Sequence, residues 1–440
     1  MNRTLSILQQ LHRYESQNVT FLDPDGTWPI VWARAKGVYV WDAEEKRYLD
    51  LTAAFGVAAA GHANPAVVRA GQKQMGTLLH AMGDVHPHAL KAQLAQELSR
   101  LTFERWRPKT KVARAKTIFC NSGFEAVEAA LKTAIRFTGR SRIIAFQGAY
   151  HGLGYGALNA THREHFRAAF RPQLRQFGQF LPFPSARKEL SPLTMRIREL
   201  LRTKTVGAIL VEPIQVRGGI NIPPQDFLPQ LRKLCDEYGA LLVLDEIYTG
   251  FGRTGKWFAC EHTDITPDLI CLGKALTGGF PLSACVGRAD IMDAAWPSSD
   301  GEAIHTSTFL GHPVGCAMAL AQIRELQRRK LCERSAKLGA LLLPQLQRLS
   351  SPSTSFRYET CGLGLLAGLE LRQANGVPAT ALALRVIKAM LQRGYILLPE
   401  GEHSNVISLT PPLVISEAQL AKTVRALEIC LRAAIAETKP

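Results

Sequence analysis

Two features of membrane and exported proteins are missing from this sequence. No apolar run approaches the roughly 20 residues that a membrane-spanning helix requires. The N-terminal segment MNRTLSILQQLHRYESQNV has neither the pattern of a signal peptide nor a small-residue cleavage site. We therefore expect a cytoplasmic protein with no membrane partner.

The sequence also lacks a Cys-x-x-Cys pair and any cysteine spacing typical of a zinc site. Its nine cysteines are scattered, and several, such as Cys271 and Cys285, lie within apolar runs. Such cysteines are usually reduced side chains of a hydrophobic core. We therefore predict reduced core cysteines and no metal site.

A block of like charges is missing as well, although the net charge is +16. Lysine and arginine are spread along the chain, so the sequence does not favour a nucleic-acid partner. A basic surface that attracts anionic substrates remains compatible with this pattern.

Apolar strand runs alternate with amphipathic helical stretches, which is typical of an α/β layered fold. The length of 440 residues allows more than one domain. We predict a large domain at 61–330, with a small domain formed by an N-terminal segment at 1–60 and a C-terminal part at 331–440. The predicted strands are a hairpin at 36–51 and segments at 115–120, 142–146, 206–214, 240–245, 361–371 and 395–400. The predicted helices lie within 86–101, 121–139, 224–239, 312–330, 331–350 and 416–437.

Lys274 is the lysine of an otherwise uncharged, glycine-rich apolar run, LICLGKALTGGFPLSACVG. A desolvated amine has a lowered pKa, which makes it nucleophilic and able to condense with an aldehyde. The alternative is a lysine at a strand end that extends to water. The run alone does not decide between them.

Asp245 ends the apolar strand ALLVLD upstream of Lys274 and is followed by Glu246. Ligands collect at the carboxyl ends of buried parallel strands. A lysine and a carboxylate on neighbouring strand ends suit pyridoxal phosphate, because the lysine binds the aldehyde carbon while the carboxylate keeps the ring nitrogen protonated. The pair therefore predicts a pyridoxal 5'-phosphate site.

NSGFEA brings a small polar residue and a glycine to the start of a helix. Exposed backbone N–H groups at such a position bind phosphate well, which makes Ser122 and Gly123 candidates. An ordinary helix cap by Ser122 is the alternative.

Two other segments carry polar or aromatic side chains just past a strand. In QGAYHG, Tyr150 can stack on a heterocycle, and His151 is either catalytic or a hydrogen-bonded structural residue. In VEPIQ, Glu212 and Gln215 end a strand, and the amide of Gln215 can donate to a phenolic oxygen.

Together and in this order, these segments resemble the class III (ω-type) aminotransferases, which have the pyridoxal-phosphate-dependent fold type I. The resemblance spans roughly residues 30–430 and implies a mostly parallel central sheet flanked by helices, plus a small α+β domain. The segments that carry it are DLTAAFGVAAAGHANP, NSGFEAVEAALK, AYHG, VEPIQ, LDEIYTGFGRTG, LGKALTGGFPL and TSTFLGHPVGCAMA.

The resemblance implies a role for each matching residue. Lys274 would form the Schiff base and shuttle the proton, and Asp245 would pair with the pyridine nitrogen. Thr308 would reach the phosphate from the other subunit, which implies a homodimer with shared sites. The other implied cofactor contacts are Ser122, Gly123 and Phe124 at the phosphate, Gln215 at the ring hydroxyl, and Tyr150, His151, Glu212 and Ile247 around the ring.

This sequence departs from the family at two substrate-binding positions. Arg217 replaces the glutamate that usually follows VEPIQ, and Ser408 replaces the arginine that grips the substrate α-carboxylate. A serine offers no bidentate fork, whereas an unpaired Arg217 does. We therefore predict that Arg217 is the carboxylate clamp and that Phe55 also contacts substrate. The alternative is that Arg217 points to solvent and another arginine serves.

The expected function is ping-pong transfer of an amino group from an ω-amino acid or amine, such as a 4-aminobutyrate-like compound, to 2-oxoglutarate or pyruvate. A pyridoxal-phosphate-dependent epimerase or racemase is the second hypothesis, because a deprotonated intermediate can be reprotonated from either face. A catalytically silent binding protein of the same fold is the third, and the intact Lys274 and Asp245 argue against it.

Overall fold

The structure is a computed structural model that describes residues 3–23, 27–106, 114–349 and 355–437. The α-helices are α1 Arg3–Tyr14, α2 Ala53–Gly56, α3 Pro65–Met75, α4 Ala89–Leu101, α5 Phe103–Trp106, α6 Gly123–Thr138, α7 Tyr155–Leu158, α8 Glu164–Arg167, α9 Leu190–Arg202, α10 Phe227–Tyr238, α11 Ala289–Ala295, α12 Pro313–Arg328, α13 Leu331–Gln347, α14 Thr380–Gln392 and α15 Glu417–Ala436. Short 3₁₀ turns span Ala168–Gln173, Arg187–Glu189, Ala259–His262 and Lys274–Leu276. The strands are β1 Trp32–Lys36, β2 Tyr39–Asp42, β3 Arg47–Asp50, β4 Ala115–Cys120, β5 Arg142–Phe146, β6 Gly178–Leu181, β7 Val206–Val211, β8 Leu241–Asp245, β9 Leu269–Leu272, β10 Ser283–Arg288, β11 Phe356–Leu363, β12 Leu366–Gln373, β13 Tyr395–Ile396, β14 Leu398–Glu400 and β15 Val406–Leu409.

A seven-stranded sheet forms the centre of the molecule, in the order β4-β10-β9-β8-β7-β5-β6. The pairs from β9 to β6 are parallel, whereas β10 runs antiparallel to both β4 and β9. Every residue of β7, β8 and β9 is buried. Strands covered on both faces are continuously apolar, as these sequences are. The predicted α/β class with a mostly parallel sheet is confirmed.

Alternate residues of the central strands enter two different cores. Leu242 and Leu244 of β8 belong to the larger core, whereas Leu241 and Val243 belong to a second core that contains much of α6. This alternation follows from the two-residue period of a strand. The central sheet therefore lies between two apolar layers.

Two smaller four-stranded sheets are formed by strands that precede β4 or follow β10 in the chain. One has the order β1-β2-β3-β13, and the other has the order β11-β12-β15-β14. The parallel pairing of Tyr395 with Leu49 joins the two ends. This confirms the expected small α+β unit, while the domain boundaries at 60 and 330 stay predictions.

Several predicted elements match observed ones closely, and two do not. The strands at 115–120 and 142–146 are correct to the residue, and Gly239 ends α10 in the left-handed conformation (φ 64°). The predicted strand at 361–371 is wrong, because it covers the end of β11, a turn and most of β12. The predicted strand at 395–400 is also wrong, since its residues divide between two sheets.

No helix in the described ranges is long and apolar enough to span a membrane. All nine cysteines are free, and all except the half-buried Cys361 are buried. The predicted core position of Cys271 and Cys285 is therefore confirmed.

Candidate active site

Lys274 and Asp245 lie at the ends of adjacent parallel strands. Asp245 is in register with Cys271 of β9, and Lys274 follows that strand after Gly273. Lys274 has a left-handed backbone conformation (φ 42°), which non-glycine residues adopt infrequently. Burial lowers the pKa of its amine to about 8, although the nearby carboxylates of Asp245 and Glu212 oppose that shift. This combination suits a nucleophilic amine.

The side chain of Asp245 is held by two hydrogen-bonding partners. Its Oδ2 lies 2.8 Å from Nδ1 of His151, and its Oδ1 accepts from the backbone N–H of Ile247 at 3.1 Å. Asp245 and His151 are both buried. The Nε2 atom of His151 is buried without a hydrogen-bond partner in the described part of the chain. His151 therefore orients the carboxylate.

Glu212 contributes a second acidic group to this region. It is buried and accepts from the backbone N–H groups of Tyr150 at 3.0 Å and Val216 at 3.3 Å. Burial raises its pKa to about 7. Glu212 thus fixes the backbone that carries Tyr150 and titrates near neutral pH.

The N-terminus of α6 forms one end of the site. Glu125 accepts from the backbone N–H groups of Asn121 at 2.7 Å and Ser122 at 2.8 Å, which satisfies donors at the helix start. The Oγ atom of Ser122 is buried, and no described residue forms a hydrogen bond with it. A helix N-terminus with a free hydroxyl is a suitable place for an anionic group.

A cavity of about 410 Å³ connects these groups. Nine of the predicted site residues line it, together with four that the sequence analysis did not select. The nine are Gly123, Phe124, Tyr150, His151, Glu212, Arg217, Asp245, Ile247 and Lys274, and the four are Gly152, Leu153, Tyr248 and Thr249.

Four other predicted residues do not line this cavity. The amide of Gln215 donates to the carbonyl of Gln147 at 2.7 Å and is therefore already engaged. Phe55 is half exposed and lines a separate cavity of about 270 Å³, whereas Thr308 lies on an exposed loop. Ser122 lies immediately before the cavity residue Gly123.

Arg217 has a partner that the sequence analysis missed. Its Nη1 donates to Oε2 of Glu400 at 2.9 Å, so the expectation of an unpaired Arg217 is wrong. The guanidinium is still partly exposed in the cavity and lies 5.8 Å from the ring centroid of Tyr150. Ser408 is buried and donates to the carbonyl of Leu398. The alternative of an arginine directed away into solvent is therefore not observed.

Tyr248 is a cavity residue that contacts Lys274 and that the sequence analysis did not select. Its ring centroid lies 4.0 Å from Nζ of Lys274, and the ring is buried. Its position three residues after Asp245 could have predicted it, because residues just past the end of a strand lie at the same edge of the sheet as the strand end itself.

The comparisons with known proteins agree with this geometry. Residues 22–431 match the family described as Aminotransferase class-III. The chain belongs to the class III aminotransferases. This aminotransferase is 35% identical to an acetylornithine aminotransferase of Methanosarcina acetivorans over 92% of both chains. It is 36% identical to a putrescine aminotransferase of Pectobacterium atrosepticum, covering 90% of this chain and 81% of that one.

Solved structures extend the similarity to the whole fold. An amine transaminase from an uncultivated Pseudomonas species, solved in its PLP-bound form, superimposes on the aminotransferase with a TM-score of 0.86. The identity is 29%, and the match covers 96% of this chain and 99% of the other. The aminotransferase therefore uses pyridoxal 5'-phosphate, as members of its family do.

The residues present fit that cofactor on grounds independent of the comparisons. The Oγ atom of Ser122 is buried at a helix N-terminus with no hydrogen-bond partner among the residues that the structure describes, which suits the phosphate. The carboxylate of Asp245 at the end of β8 suits the ring nitrogen. A Cβ atom at Gly123 would lie 3.0 Å from Cδ1 of Ile247, so a side chain there would crowd the cavity floor. Among the initial hypotheses, the aminotransferase is the one that these findings support.

Proposed function

We propose that this aminotransferase transfers the amino group of an ω-amino acid or amine to an oxo acid such as 2-oxoglutarate or pyruvate. The supporting observation is Arg217, a cation exposed in the same cavity as Lys274. A guanidinium is well suited to bind a carboxylate. A substrate that presents a carboxylate at one end and a reacting amine at the other would meet both residues.

The relatives support the same class of donor. One is named an acetylornithine aminotransferase and another a putrescine aminotransferase, and both names denote substrates with a distal amine. Arg217 favours a donor with a carboxylate over a simple diamine, because a diamine would bring a second cation to a cationic wall.

Each site residue has a defined task in this proposal. Lys274 would bind the cofactor covalently and later carry a proton to or from the substrate carbon, with its lowered pKa keeping a usable fraction of free amine near neutral pH. Asp245, oriented by His151, would face the cofactor's ring nitrogen. When bound, pyridoxal phosphate supplies a ring that withdraws electrons from the substrate carbon. The remaining cofactor contacts would be Ser122, Gly123 and Phe124 at the phosphate and Tyr150, Glu212 and Ile247 near the ring.

A donor and acceptor screen with a matched pair of variants tests the substrate proposal. Arg217→Ala should raise the apparent KM of carboxylate donors at least tenfold while cofactor content stays at the wild-type level, since a charged hydrogen bond contributes about 1.5–3 kcal/mol. Donors without a carboxylate should lose little, and Arg217→Lys should lie between the two. An unchanged KM for carboxylate donors would contradict the role of Arg217.

Loss of optical rotation by an amino acid alone, without an oxo acid, would favour epimerisation.

We also propose a homodimer in which Thr308 reaches the phosphate of the partner's cofactor. Thr308 lies on an exposed loop outside its own cavity, and the same loop carries the exposed side chains Ile304 and Phe309. Mixing Lys274→Ala with Thr308→Ala subunits tests this proposal. Mixed dimers would recover one intact site and therefore cofactor binding, whereas no recovery would argue for a site within one subunit.

The cytoplasm is the proposed location. Nine free thiols in one chain are compatible with a reducing compartment. Fractionation of the native host followed by immunodetection tests this assignment, and recovery from an oxidising compartment would contradict it.

A further inference from the structure

Tyr248 and Lys274 meet inside the active-site cavity. Tyr248 lies three residues beyond the end of β8, and Lys274 lies two residues beyond the end of β9. The Nζ atom of Lys274 is 4.0 Å from the centroid of the Tyr248 ring. This distance is within the range at which an ammonium is attracted to the face of an aromatic ring.

The ring of Tyr248 is held in place from two sides. Gly56 has a φ of +80°, and a Cβ atom there would lie 2.8 Å from Cε1 of Tyr248, so the glycine backbone packs directly on the ring. The Tyr248 hydroxyl lies 3.3 Å from Oγ1 of Thr410. Thr410 in turn donates to the carbonyl of Thr52 at 3.2 Å. These contacts from separate parts of the chain fix the ring plane beneath the amine.

The groups around the Lys274 amine are mostly charged. Asp245, Glu212 and Glu400 favour its protonated form, whereas Arg217 disfavours it. Each of the three carboxylates already has a hydrogen-bonding partner of its own. No hydrogen bond to Nζ of Lys274 is found within the described residues, and the face of the Tyr248 ring lies against this amine.

We infer that Tyr248 is a positioning residue for Lys274. Its ring holds the amine by a cation–π contact whenever that amine is not bonded to the cofactor. This inference rests on the proposed role of Lys274 as the lysine that binds pyridoxal phosphate, because that role requires the amine to leave the cofactor and return during each turnover. A fixed ring keeps the amine close to the point of return.

Two variants separate the ring from the hydroxyl. Tyr248→Phe keeps the aromatic face and removes the contact with Thr410, whereas Tyr248→Leu removes the aromatic face. The first measurement is the pH dependence of reductive methylation at Lys274 in the cofactor-free protein, followed by peptide mapping. Loss of the ring should shift the protonation equilibrium of Lys274 toward the free amine by about twofold to thirtyfold, which lowers its apparent pKa. Tyr248→Phe should stay close to the wild type.

A second measurement uses the cofactor without turnover. Pyridoxal phosphate is added to cofactor-free protein, and covalent attachment at Lys274 is followed by borohydride quenching at set times. Each rate is divided by the free-amine fraction found in the first measurement, and the corrected rate should fall about tenfold or more in Tyr248→Leu and little in Tyr248→Phe, because the amine is no longer held near its point of attack. Equal attachment rates and equal apparent pKa values in all three proteins would overturn the inference, as would an equal defect in both variants.

Controls keep this result separate from misfolding and from failure of the proposed function. If Tyr248→Leu does not fold, Tyr248→Met provides a second non-aromatic side chain of similar reach. Thermal unfolding of each cofactor-free variant shows whether the fold is retained. Absence of a pyridoxyl group at Lys274 in the wild type would defeat the proposed function itself, whereas normal attachment there with no effect of Tyr248→Leu would defeat only this inference.

Discussion

Arg217 and Glu400 form an ion pair between two distant parts of the chain. Nη1 of Arg217, which follows β7, lies 2.9 Å from Oε2 of Glu400, the last residue of β14. The backbone N–H of Gly401 also donates to the carbonyl of Arg217 at 3.2 Å. Glu400 is almost fully buried, and its Oε1 has no partner among the described residues. The carboxylate is therefore an internal competitor for any substrate carboxylate that approaches Arg217.

Removing the charge of Glu400 should strengthen substrate binding by Arg217. Glu400→Gln keeps an acceptor oxygen of the same size, but a neutral amide holds a guanidinium less strongly than a carboxylate does. We expect the KM of the oxo acid to fall about threefold. Steady-state kinetics with an oxo acid and with an aldehyde acceptor measure this effect, and the aldehyde serves as the control. A rise in the KM of the oxo acid would contradict the competition.

Lys274 should be identifiable by its titration. Because burial lowers its pKa to about 8, labelling of the cofactor-free protein at Lys274 should be half-maximal near pH 8, below the range of ordinary lysines. The unfolded chain binds more protons than the folded one between about pH 8 and pH 10.5, so this group makes the protein more stable as pH rises across that interval. Lys274→Met should abolish that part of the pH dependence. Labelling with a midpoint near pH 10.5 would refute the assignment.

Asp245 should depend on His151 for its position. His151→Ala leaves a buried carboxylate without one of its two hydrogen-bonding partners, and loss of such a partner costs about 3 kcal/mol. We expect lower thermal stability together with a lower affinity for pyridoxal phosphate. His151→Asn retains a donor and should recover part of both losses. Differential scanning calorimetry and equilibrium dialysis provide the two measurements, and a His151→Ala protein as stable as the wild type would exclude this dependence.

Ser122→Ala should weaken cofactor binding with little change in protein stability. The Oγ atom of Ser122 forms no hydrogen bond with the described part of the protein, so its removal deletes no internal contact. A hydrogen bond to a charged group contributes about 1.5–3 kcal/mol, which predicts a rise of roughly tenfold or more in the Kd of pyridoxal phosphate. Ser283→Ala is the matched control, because Oγ of Ser283 donates to the Ser122 carbonyl and so acts within the protein. Equal Kd values for Ser122→Ala and the wild type would argue against a phosphate contact.

The parts of the site that the sequence predicts are those fixed by local chemistry. Lys274 and Asp245 stand out because a charged residue at the end of an apolar strand is conspicuous, and parallel strands bring such ends together. The start of α6 is equally visible, since the small residues before it mark a helix N-terminus.

The unpredicted parts depend on pairing between distant segments. Arg217 meets Glu400 only because β14 pairs with β15 and brings Glu400 next to Arg217, which no local pattern encodes. The run at 395–400 has one continuous apolar character, yet Tyr395 and Leu398 join different sheets. Strand partners of this kind are selected by tertiary packing, so sequence periodicity alone does not distinguish them.

The pairing of β3 with β13 has a consequence for how the protein is made. Tyr395 is translated well after its neighbour in the sheet, Leu49, because the strands of the central sheet lie between them in the sequence. The sheet β1-β2-β3-β13 therefore lacks one edge strand until β13 emerges, when the central sheet can already assemble. Exposed strand edges are where nascent chains associate wrongly, and β3 presents such an edge until β13 pairs with it.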